Sequence, residues 1–310
     1  KPLIVQRNTG DSPIISGNVV ITTGIDQVIV DGFTITGGSG AGVYVRNSNR
    51  ITIKNNTIYG MQTGSIDGDG IQITSGHSSD GTYANGIIID NNTIHDNAVD
   101  GLKVHGQYFT VSNNYIYNNI NTNWSAIHPD GIQLNAGTAD NYTSVQYAKI
   151  YNNIFKNHTQ NIFTEGSLSG ASSDCTNIYI YNNVIFNDSG TVNGVDMDTL
   201  GVVNINIKNS KDVWVYNNTL GRVAAQEIKI RGIAPGTVHI KNNIFNNTHT
   251  SSEHAVYLDV SNGITNGELN YNIYNMSTAK IVYWVATSYT TLSAFKSAQP
   301  SQEVNGLSTN

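Results

Sequence analysis

Short runs of alternating apolar and polar residues recur along most of the chain. Many share one form, in which a short apolar strand, an Asn-Asn pair and a second short strand follow each other. The copies are "ITIKNNTIYG", "IIIDNNTIHDN", "FTVSNNYIYNN", "AKIYNNIFKNH", "IYIYNNVIFND", "VWVYNNTLGR", "VHIKNNIFNNT" and a weaker "LNYNIYNM". The first asparagines of the clear pairs lie 36, 22, 39, 30, 35 and 25 residues apart, at Asn55, Asn91, Asn113, Asn152, Asn182, Asn217 and Asn242. The shortest spacing predicts one bare turn of a repeating structure, and the longer spacings predict turns with insertions.

Strands this short cannot bury an apolar face alone, but stacked strands form one continuous interior. Asparagines at a fixed turn can hydrogen-bond along the stack, and we expect the Asn-Asn residues to be structural. The pattern therefore predicts an all-β fold, a single-stranded right-handed parallel β-helix. A β-propeller needs four strands and about forty residues per blade, and leucine-rich repeats need a leucine consensus that this chain lacks.

A further strand precedes each Asn-Asn unit, as in "AGVYVRN", "DGIQITS", "DGLKVHG" and "DGIQLNA". With Ile, Leu and Val inward, the period of two turns the alternate residues to solvent. The outward pairs are Tyr44 and Arg46, Gln72 and Thr74, Lys103 and His105, Gln133 and Asn135, Phe163 and Glu165, Asn206 and Lys208, Lys229 and Arg231, Tyr257 and Asp259. At about 4.8 Å per rung, the pairs predict a polar strip about 35 Å long. Long insertions beside its central rungs are placed to wall a groove for an extended polymer.

Composition narrows the possible functions. The chain has 310 residues, 12% of them charged, with 30 Gly, 5 Pro and a net charge of −6. The negative charge argues against a nucleic-acid partner, which needs clustered cations. The single cysteine, Cys175, excludes an internal disulfide framework. No apolar run is long enough to span a membrane, and the first residues do not resemble a signal peptide. Because "KPLIVQR" already reads as a strand and a further strand pattern follows almost at once, we expect a fragment of a longer chain.

With its Asn ladder and coil repeat, the chain resembles the pectate-lyase-like superfamily of right-handed parallel β-helix proteins. Members act mostly on acidic polysaccharides as lyases, hydrolases or epimerases. The sharpest local similarity is to the family nine pectate lyases, on "GDGIQ" followed one coil later by "DGLKVHG". That resemblance implies Lys103 as the base and Asp69, with Asp67 beside it, as ligands of Ca²⁺. The family's last aspartate is Gln72 here, although Asp100 and Asp130 also offer oxygen ligands.

A weaker resemblance links "NINIKNS" and "EIKIRG" to the family six lyases, where a lysine precedes an arginine by one coil. It implies the same relation for Lys208 and Arg231. The richness in Asn, Ile and Tyr is also similar to that of archaeal surface proteins such as disaggregatase. Both resemblances imply an extracellular or cell-surface protein whose substrate is a uronate-containing polysaccharide.

Elimination from a polyuronate needs a base for the C5 proton, a cation for the carboxylate and an acid for the leaving oxygen. Lys103 with His105, and Arg46 or Arg231 further along the strip, can fill these roles if the pKa of the lysine is lowered. Otherwise Lys103 and His105 are solvated strand residues. We expect an endo-acting lyase.

A glycoside hydrolase is the alternative, because Asp69, Asp100 and Asp130 recur at one corner and Glu165 faces out from the next rung. Hydrolysis needs two carboxyl groups about 5.5 Å apart for retention or about 6.5–9.5 Å for inversion. Asp-Gly before a strand is also ordinary turn chemistry.

His128 lies beside the same corner and can act as an acid, a base or a metal ligand, or be merely exposed. Aromatic side chains such as Tyr44, Phe163 and Tyr257 can stack on sugar rings or pack across strands. The predicted catalytic residues are Lys103, His105, His128, Asp100, Asp130 and Glu165. The predicted substrate-binding residues are Tyr44, Arg46, Gln72, Gln133, Asn135, Phe163, Lys208, Lys229, Arg231 and Tyr257.

We expect one domain, with the β-helix in residues 1–275 and a capping segment in 276–310 that contains a helix over "TLSAFKSA". We expect a monomer. A non-catalytic glycan-binding or surface adhesion module is the remaining alternative, since the same groove can serve it.

Overall fold

A computed structural model describes residues 1–62, 68–75, 84–135, 145–166, 175–232, 237–249, 254–259, 267–276 and 280–309. Three long sheets run along the molecule, and each coil contributes one strand to each sheet in turn. Neighbouring strands of these sheets are parallel, except for one antiparallel pair, Val282–Trp284 with Thr287–Tyr289. The predicted parallel β-helix is confirmed.

The strands of the first sheet are Leu3–Gln6, Val28–Asp31, Thr52–Lys54, Ile88–Asp90, Thr110–Ser112, Val145–Tyr151, Cys175–Tyr181, Lys211–Tyr216, Val238–Lys241 and Glu268–Asn270. Those of the second are Ile14–Gly17, Thr34–Gly37, Thr57–Tyr59, Thr93–His95, Tyr115–Tyr117, Ile154–Lys156, Val184–Phe186, Thr219–Gly221, Ile244–Asn247, Ile273–Met276 and Leu307–Ser308. Those of the third are Val19–Ile21, Val43–Arg46, Ile71–Thr74, Leu102–Val104, Asp130–Asn135, Gln160–Glu165, Val203–Lys208, Ile228–Arg231, Val256–Asp259, Val282–Trp284 and Thr287–Tyr289. A hairpin of Thr191–Val192 and Val195–Asp196 and two helices, Trp124–Ile127 and Leu292–Ala298, complete the described elements.

The interior is a set of apolar columns that follow from the period of two. In the first sheet, Ile89 lies between Ile53 of the preceding rung and Val111 of the next, and all three are fully buried or nearly so. Each inward residue therefore packs on an equivalent residue above and below. Repeating this contact in every rung produces one core along the whole solenoid.

The Asn-Asn corner contains two asparagines with different roles. The first has a left-handed backbone, with φ of 57° at Asn55 and 56° at Asn152. The second is buried, and its amide accepts from the preceding rung: Asn114 N donates to Asn153 Oδ1 at 2.9 Å. This ladder connects Asn56, Asn92, Asn114, Asn153, Asn183, Asn218, Asn243 and Asn272. The predicted structural role of the pairs is confirmed.

A second polar chain runs inside the corner between the second and third sheets. Asn119 Nδ2 donates to His158 Nε2 at 3.1 Å, and His158 Nδ1 donates to Asn161 Oδ1 at 2.8 Å. Asn161 Nδ2 donates to Asn204 Oδ1 at 2.8 Å, and Asn204 donates to the buried carboxyl of Glu227. Burial lowers the pKa of His158 to about 4 and raises that of Glu227 to about 8. Both groups therefore favour their neutral forms inside the fold.

The C-terminal residues cover the end of the core. The helix Leu292–Ala298 confirms the helix predicted over "TLSAFKSA", and the Thr291 side chain caps it by accepting from Ala294 N at 3.1 Å. Its Phe295 is fully buried against Trp284. Glu303 ends the asparagine ladder, because its Oε1 accepts from Asn272 Nδ2 at 2.6 Å. The division at residue 275 stays a prediction. Neither described helix has the length and apolar character needed to cross a membrane.

Candidate functional site

The register of the third sheet places the predicted outward residues in two columns. Lys103 pairs with Gln72 on one side and Gln133 on the other, and Glu165 pairs with Asn135 and Lys208. The first column contains Tyr44, Gln72, Lys103, Gln133, Phe163, Asn206, Lys229 and Tyr257. The second contains Arg46, Thr74, His105, Asn135, Glu165, Lys208, Arg231 and Asp259. The shared face predicted from the alternation is confirmed.

The face is less open than the alternation predicts. Buried side chains interrupt it at Gln72, Thr74, His105, Phe163 and Asn206. Phe163 is only 6% exposed, which leaves little ring surface for a sugar, and His105 is 1% exposed. Pleating decides which side of a strand a residue points to, but the surrounding chain decides whether water reaches it. Half-buried residues such as Lys103, Gln133 and Asn135 lie between the buried ones.

The three corner aspartates lie inside the fold, which is a correction to their predicted place in an open groove. Asp69, Asp100 and Asp130 are at most 2% exposed. Each links to the next rung: Asp100 N donates to Asp69 Oδ1 at 3.0 Å, and Asp130 N donates to Asp100 Oδ1 at 2.7 Å. Burial, together with the charges of Asp69 and Asp130, raises the pKa of Asp100 well above its usual value. Burial likewise raises the pKa of Asp130, against hydrogen bonding from Gln160.

The glycines that follow these aspartates are required by packing. A Cβ at Gly101 would lie 2.6 Å from Gly131 O, and one at Gly131 would lie 2.4 Å from Asn161 O. Such contacts are too short for any side chain to be accommodated without a backbone shift. The recurrence of Asp-Gly thus has a structural cause in the close approach of successive rungs.

Two of the candidate catalytic groups on this face lie near groups that can carry the opposite charge. Lys103 stabilises the ionised forms of Asp100 and Asp130. Glu165 forms an ion pair with Lys208 of the next rung.

The structure instead forms a cleft further along the same sheet. Its volume is about 200 Å³, and it is lined by Trp124, His128, Thr159, Gln160, Gly201, Val203, Asn206, Lys229 and Arg231. His128 is exposed and ends the short helix Trp124–Ile127 with a left-handed φ of 46°. Arg231 is positioned by its Nε, which donates to Asn206 Oδ1 at 3.3 Å. Three predicted site residues, His128, Lys229 and Arg231, therefore meet here.

One wall of this cleft comes from a segment that sequence reasoning did not use. The excursion between the strands Val184–Phe186 and Val203–Lys208 packs Met197, Leu200 and Val202 into a small apolar cluster. Trp124 packs against this cluster and so links the excursion to the helix that carries His128. The sequence shows that the excursion is apolar, but because it does not repeat the coil motif, its position beside the cleft could not be predicted.

Several predicted residues are too far from one another to share a site. Lys103 and Lys229 belong to one column with Gln133, Phe163 and Asn206 between them, so four rungs, or about 19 Å, separate them. Arg46 lies at the other end of the second column from Arg231. Lys103 therefore cannot act on the same bond as Lys229 and Arg231. The expectation that Lys103 and Arg231 serve one site is wrong, and the expectation that Lys103 and His128 share a site stays a prediction.

Tyr257 also differs from its predicted stacking role. Its ring stacks on Tyr283 of the next rung, with centroids 4.4 Å apart and an angle of 6°. Lys229 Nζ of the preceding rung lies 5.2 Å from the centroid of the same ring. Both faces of the ring are therefore covered, while Tyr44 is half-buried and its hydroxyl accepts from Thr74 at 3.2 Å.

The described residues do not fit the calcium ion that the family nine resemblance implies. Asp67 lies outside the described residues, and Asp69 is buried with one oxygen bonded to the backbone of Asp100. Within the described ranges no group of three or more His, Cys, Asp or Glu side chains is arranged to hold a metal. No step of the chemistry below passes through a metal, and Ca²⁺ stays a prediction.

The family profile for a right-handed β-helix region matches residues 18–195, more than half of the chain. The chain therefore belongs to the right-handed β-helix family. No curated protein sequence matches it significantly.

Among solved structures, the enzymatically active domain of tailspike protein 2 of bacteriophage CBA120 has a TM-score of 0.59 at 14% identity, covering 91% of this chain and 41% of that one. A DFA-IIIase from Arthrobacter chlorophenolicus A6 has a TM-score of 0.48 at 13% identity, covering 86% and 66%. An alginate lyase from Paenibacillus sp. str. FPU-7 has a TM-score of 0.46 at 13% identity, covering 88% and 92%. The first similarity shows the fold alone, and the chain spans less than half of that tailspike domain; the other two are too distant to carry an argument.

Proposed function

We propose that the protein is an extracellular enzyme that binds an acidic polysaccharide along the third sheet and cleaves it by β-elimination in the cleft. One observation carries the proposal: the cleft joins an aromatic wall, Trp124, to an imidazole, His128, and to two cations, Lys229 and Arg231. These groups match a uronate, which presents a pyranose ring, an acidic proton and a carboxylate. The β-helix family membership and a neighbour described as enzymatically active support the proposal.

The roles follow from the chemistry of elimination. Lys229 and Arg231 hold the uronate carboxylate and stabilise the charge that develops on it when C5 loses its proton. His128 accepts that proton at a ring nitrogen, since a neutral imidazole is a suitable base near neutral pH. The C5–H electron pair forms the C4–C5 double bond, the C4–O bond breaks, and the leaving oxygen takes a proton from the imidazolium or from water. One unsaturated end and one new reducing end result.

Elimination suits this cleft better than hydrolysis. Hydrolysis by the usual route needs two carboxyl groups facing each other across the bond. Among the described residues that line the cleft there is no carboxylate, and Glu165 is paired with Lys208. Asp100 and Asp130 are buried and bonded along the stack.

The test is incubation with polyuronates and glycosaminoglycans, following new reducing ends and the ultraviolet absorbance of the C4–C5 double bond. We expect both signals to rise together on at least one polymer and to disappear in His128→Asn. Asparagine is tolerated at the left-handed φ of His128, so this variant removes the base and keeps the backbone. Reducing ends without absorbance would identify a hydrolase and contradict the proposal.

A non-catalytic binding module is the second candidate. Trp124 with Lys229 and Arg231 suffices to bind an anionic sugar, and the buried aspartates and paired Lys103 at the other rungs need no chemistry to explain them. A polymer that is bound with measurable affinity but left uncut across the panel would favour this function over the enzyme.

A further inference from the structure

A second groove lies on the outer face of the first sheet, away from the cleft. It has a volume of about 520 Å³ and is lined by Tyr108, Phe109, Thr110, Tyr147, Lys149 and Tyr179. None of these residues belongs to the third sheet. The groove is wider than the cleft, whose volume is about 200 Å³. It therefore needs an explanation of its own.

The two tyrosines at its edge are unusual among the aromatic residues of the chain. Tyr108 and Tyr147 are 53% and 42% exposed, and their rings stack with centroids 4.5 Å apart at an angle of 9°. The ring of Tyr181, by contrast, is covered on both faces, by Tyr151 and Tyr216.

The Tyr108 and Tyr147 stack ends at the next rung. Tyr147 occupies a left-handed corner with φ of 56°, and the equivalent corner of the next coil is Asn177, also with φ of 56°. Because Asn177 has no ring, no described aromatic ring continues the stack beyond Tyr147. Exposed aromatic rings of this kind are costly in water and mark binding surfaces.

Charge defines what such a surface can bind. Lys149 is exposed, lines the groove and forms no ion pair with any described residue. No acidic side chain is among the lining residues within the described part of the chain. Aromatic rings beside an unpaired cation are complementary to pyranose rings that carry carboxylates or sulfates.

We propose that this groove is a second, non-catalytic binding site for an anionic polysaccharide. A polymer segment lies across the first sheet with its sugar rings against Tyr108, Tyr147 and Tyr179 and an anionic group on Lys149. The proposal goes beyond the proposed function, because binding here needs no chemistry in the cleft. In an enzyme, such a site would keep the protein attached to its polymer between cuts.

The test measures binding to polyuronate chains by affinity electrophoresis and calorimetry, in a His128→Asn background that prevents cleavage. Tyr108→Asn and Tyr147→Asn remove the rings and keep a residue suited to a positive φ, as the chain itself does at Asn177. We expect each to weaken binding roughly three- to tenfold. Tyr271→Asn is the matched control, since Tyr271 is also 53% exposed and has φ of 61° on a different part of the surface. The control should bind as the parent does.

Further arms separate the alternatives. Lys149→Met should weaken binding to polyuronates and leave binding to neutral glucans unchanged; equal binding of both polymer types would overturn the anionic preference. Wild-type affinity in Tyr147→Asn would overturn the site itself, as would a concentration-dependent dimer that the same substitution abolishes. Arg231→Gln alters only the cleft and should leave binding at the second groove unchanged. The binding test therefore stands whether or not the protein cleaves any polymer.

Discussion

Asp130 N donates to Asp100 Oδ1 at 2.7 Å, so an aspartate that resembles a catalytic group is part of the hydrogen bonding that stacks the coils. Asp100 repeats the relation with Asp69 at 3.0 Å. Burial and the neighbouring carboxyls raise the pKa of Asp100, and burial raises that of Asp130, which favours the protonated forms of both. The stacked aspartates Asp69, Asp100 and Asp130 therefore affect the stability of the fold, and their contribution can be measured without a substrate.

Asp100→Asn should stabilise the protein at neutral pH. The pKa of Asp100 is raised in the fold above 3.8, so its stabilising contribution is fully present below that pH and is lost as pH rises through the folded value. An asparagine keeps the acceptor for Asp130 N and never ionises. We expect a gain of about 1 kcal/mol or more at pH 7, shrinking below pH 4, in thermal unfolding. Asp259→Asn, at an exposed position of the same sheet, should change stability little, and a loss in Asp100→Asn would contradict the interpretation.

Glu227 should impose a wider pH dependence. Its pKa is about 8 in the fold against 4.5 when exposed, because burial disfavours the charge. Its contribution is complete below pH 4.5 and is lost progressively up to about pH 8. Glu227→Gln keeps an acceptor for Asn204 and should flatten the fall in melting temperature across this window, with a difference of a few kcal/mol above it. Parallel curves for the two proteins would show that the carboxyl is ionised in the fold.

The two asparagines of one corner should respond differently to substitution. Asn153→Ala removes the acceptor of Asn114 N and Nδ2 and the donor to Val111 O, all of them buried. We expect a loss of at least about 2 kcal/mol. Asn152→Gly preserves the left-handed corner and should cost far less. Equal losses in chemical denaturation would mean that the ladder adds nothing beyond the turn.

Gly131→Ala tests the packing explanation of the Asp-Gly repeat. The added methyl group would meet Asn161 O at 2.4 Å and should destabilise the protein by about 1–3 kcal/mol or more. Gly201→Ala is the control, because a Cβ there meets nothing within 4 Å. If Gly131→Ala does not change stability, the Asp-Gly repeat is explained by turn propensity and not by close packing.

Lys103 and His128 give opposite expectations for catalysis. In our proposal His128→Asn lowers kcat by about 10²- to 10⁴-fold with little change in KM, the range expected for a general base. Lys103→Ala should leave kcat within about tenfold, because Lys103 does not line the cleft and four rungs, or about 19 Å, separate it from Lys229. The reverse pattern would restore the lysine base that the family nine resemblance implies. Initial rates over a range of polymer concentrations separate the two.

The alternation of apolar and polar residues predicted most of the fold. It gave the rung-by-rung register that places Lys103 between Gln72 and Gln133, because a slip of one residue would turn the apolar face to water. The burial of His105 and Asp100 could not be predicted in this way. It depends on what the neighbouring coils and excursions cover, and the repeat does not encode that.

The cleft and the second groove were missed for related reasons. Met197 and Leu200 lie in an excursion without repeat, and only the folded chain brings them to Trp124. Tyr108 and Tyr147 have left-handed backbones and precede the apolar alternation of their coils, so that alternation does not reveal that the two rings align. The repeat encodes how the strands of successive coils pair. The cleft and the groove also depend on residues outside the repeat, whose contacts the repeat does not predict.

The asparagine ladder also determines where this architecture can change. The spacing between successive Asn-Asn pairs varies from 22 to 39 residues. Over the same rungs, the backbone N to Oδ1 distances of the ladder stay at 2.9–3.0 Å. The asparagine corner of the solenoid thus keeps a constant geometry, while the chain between successive corners varies in length by up to 17 residues. Loops between the corners can therefore be exchanged, by evolution or in the laboratory, without changing the asparagine ladder that connects the coils.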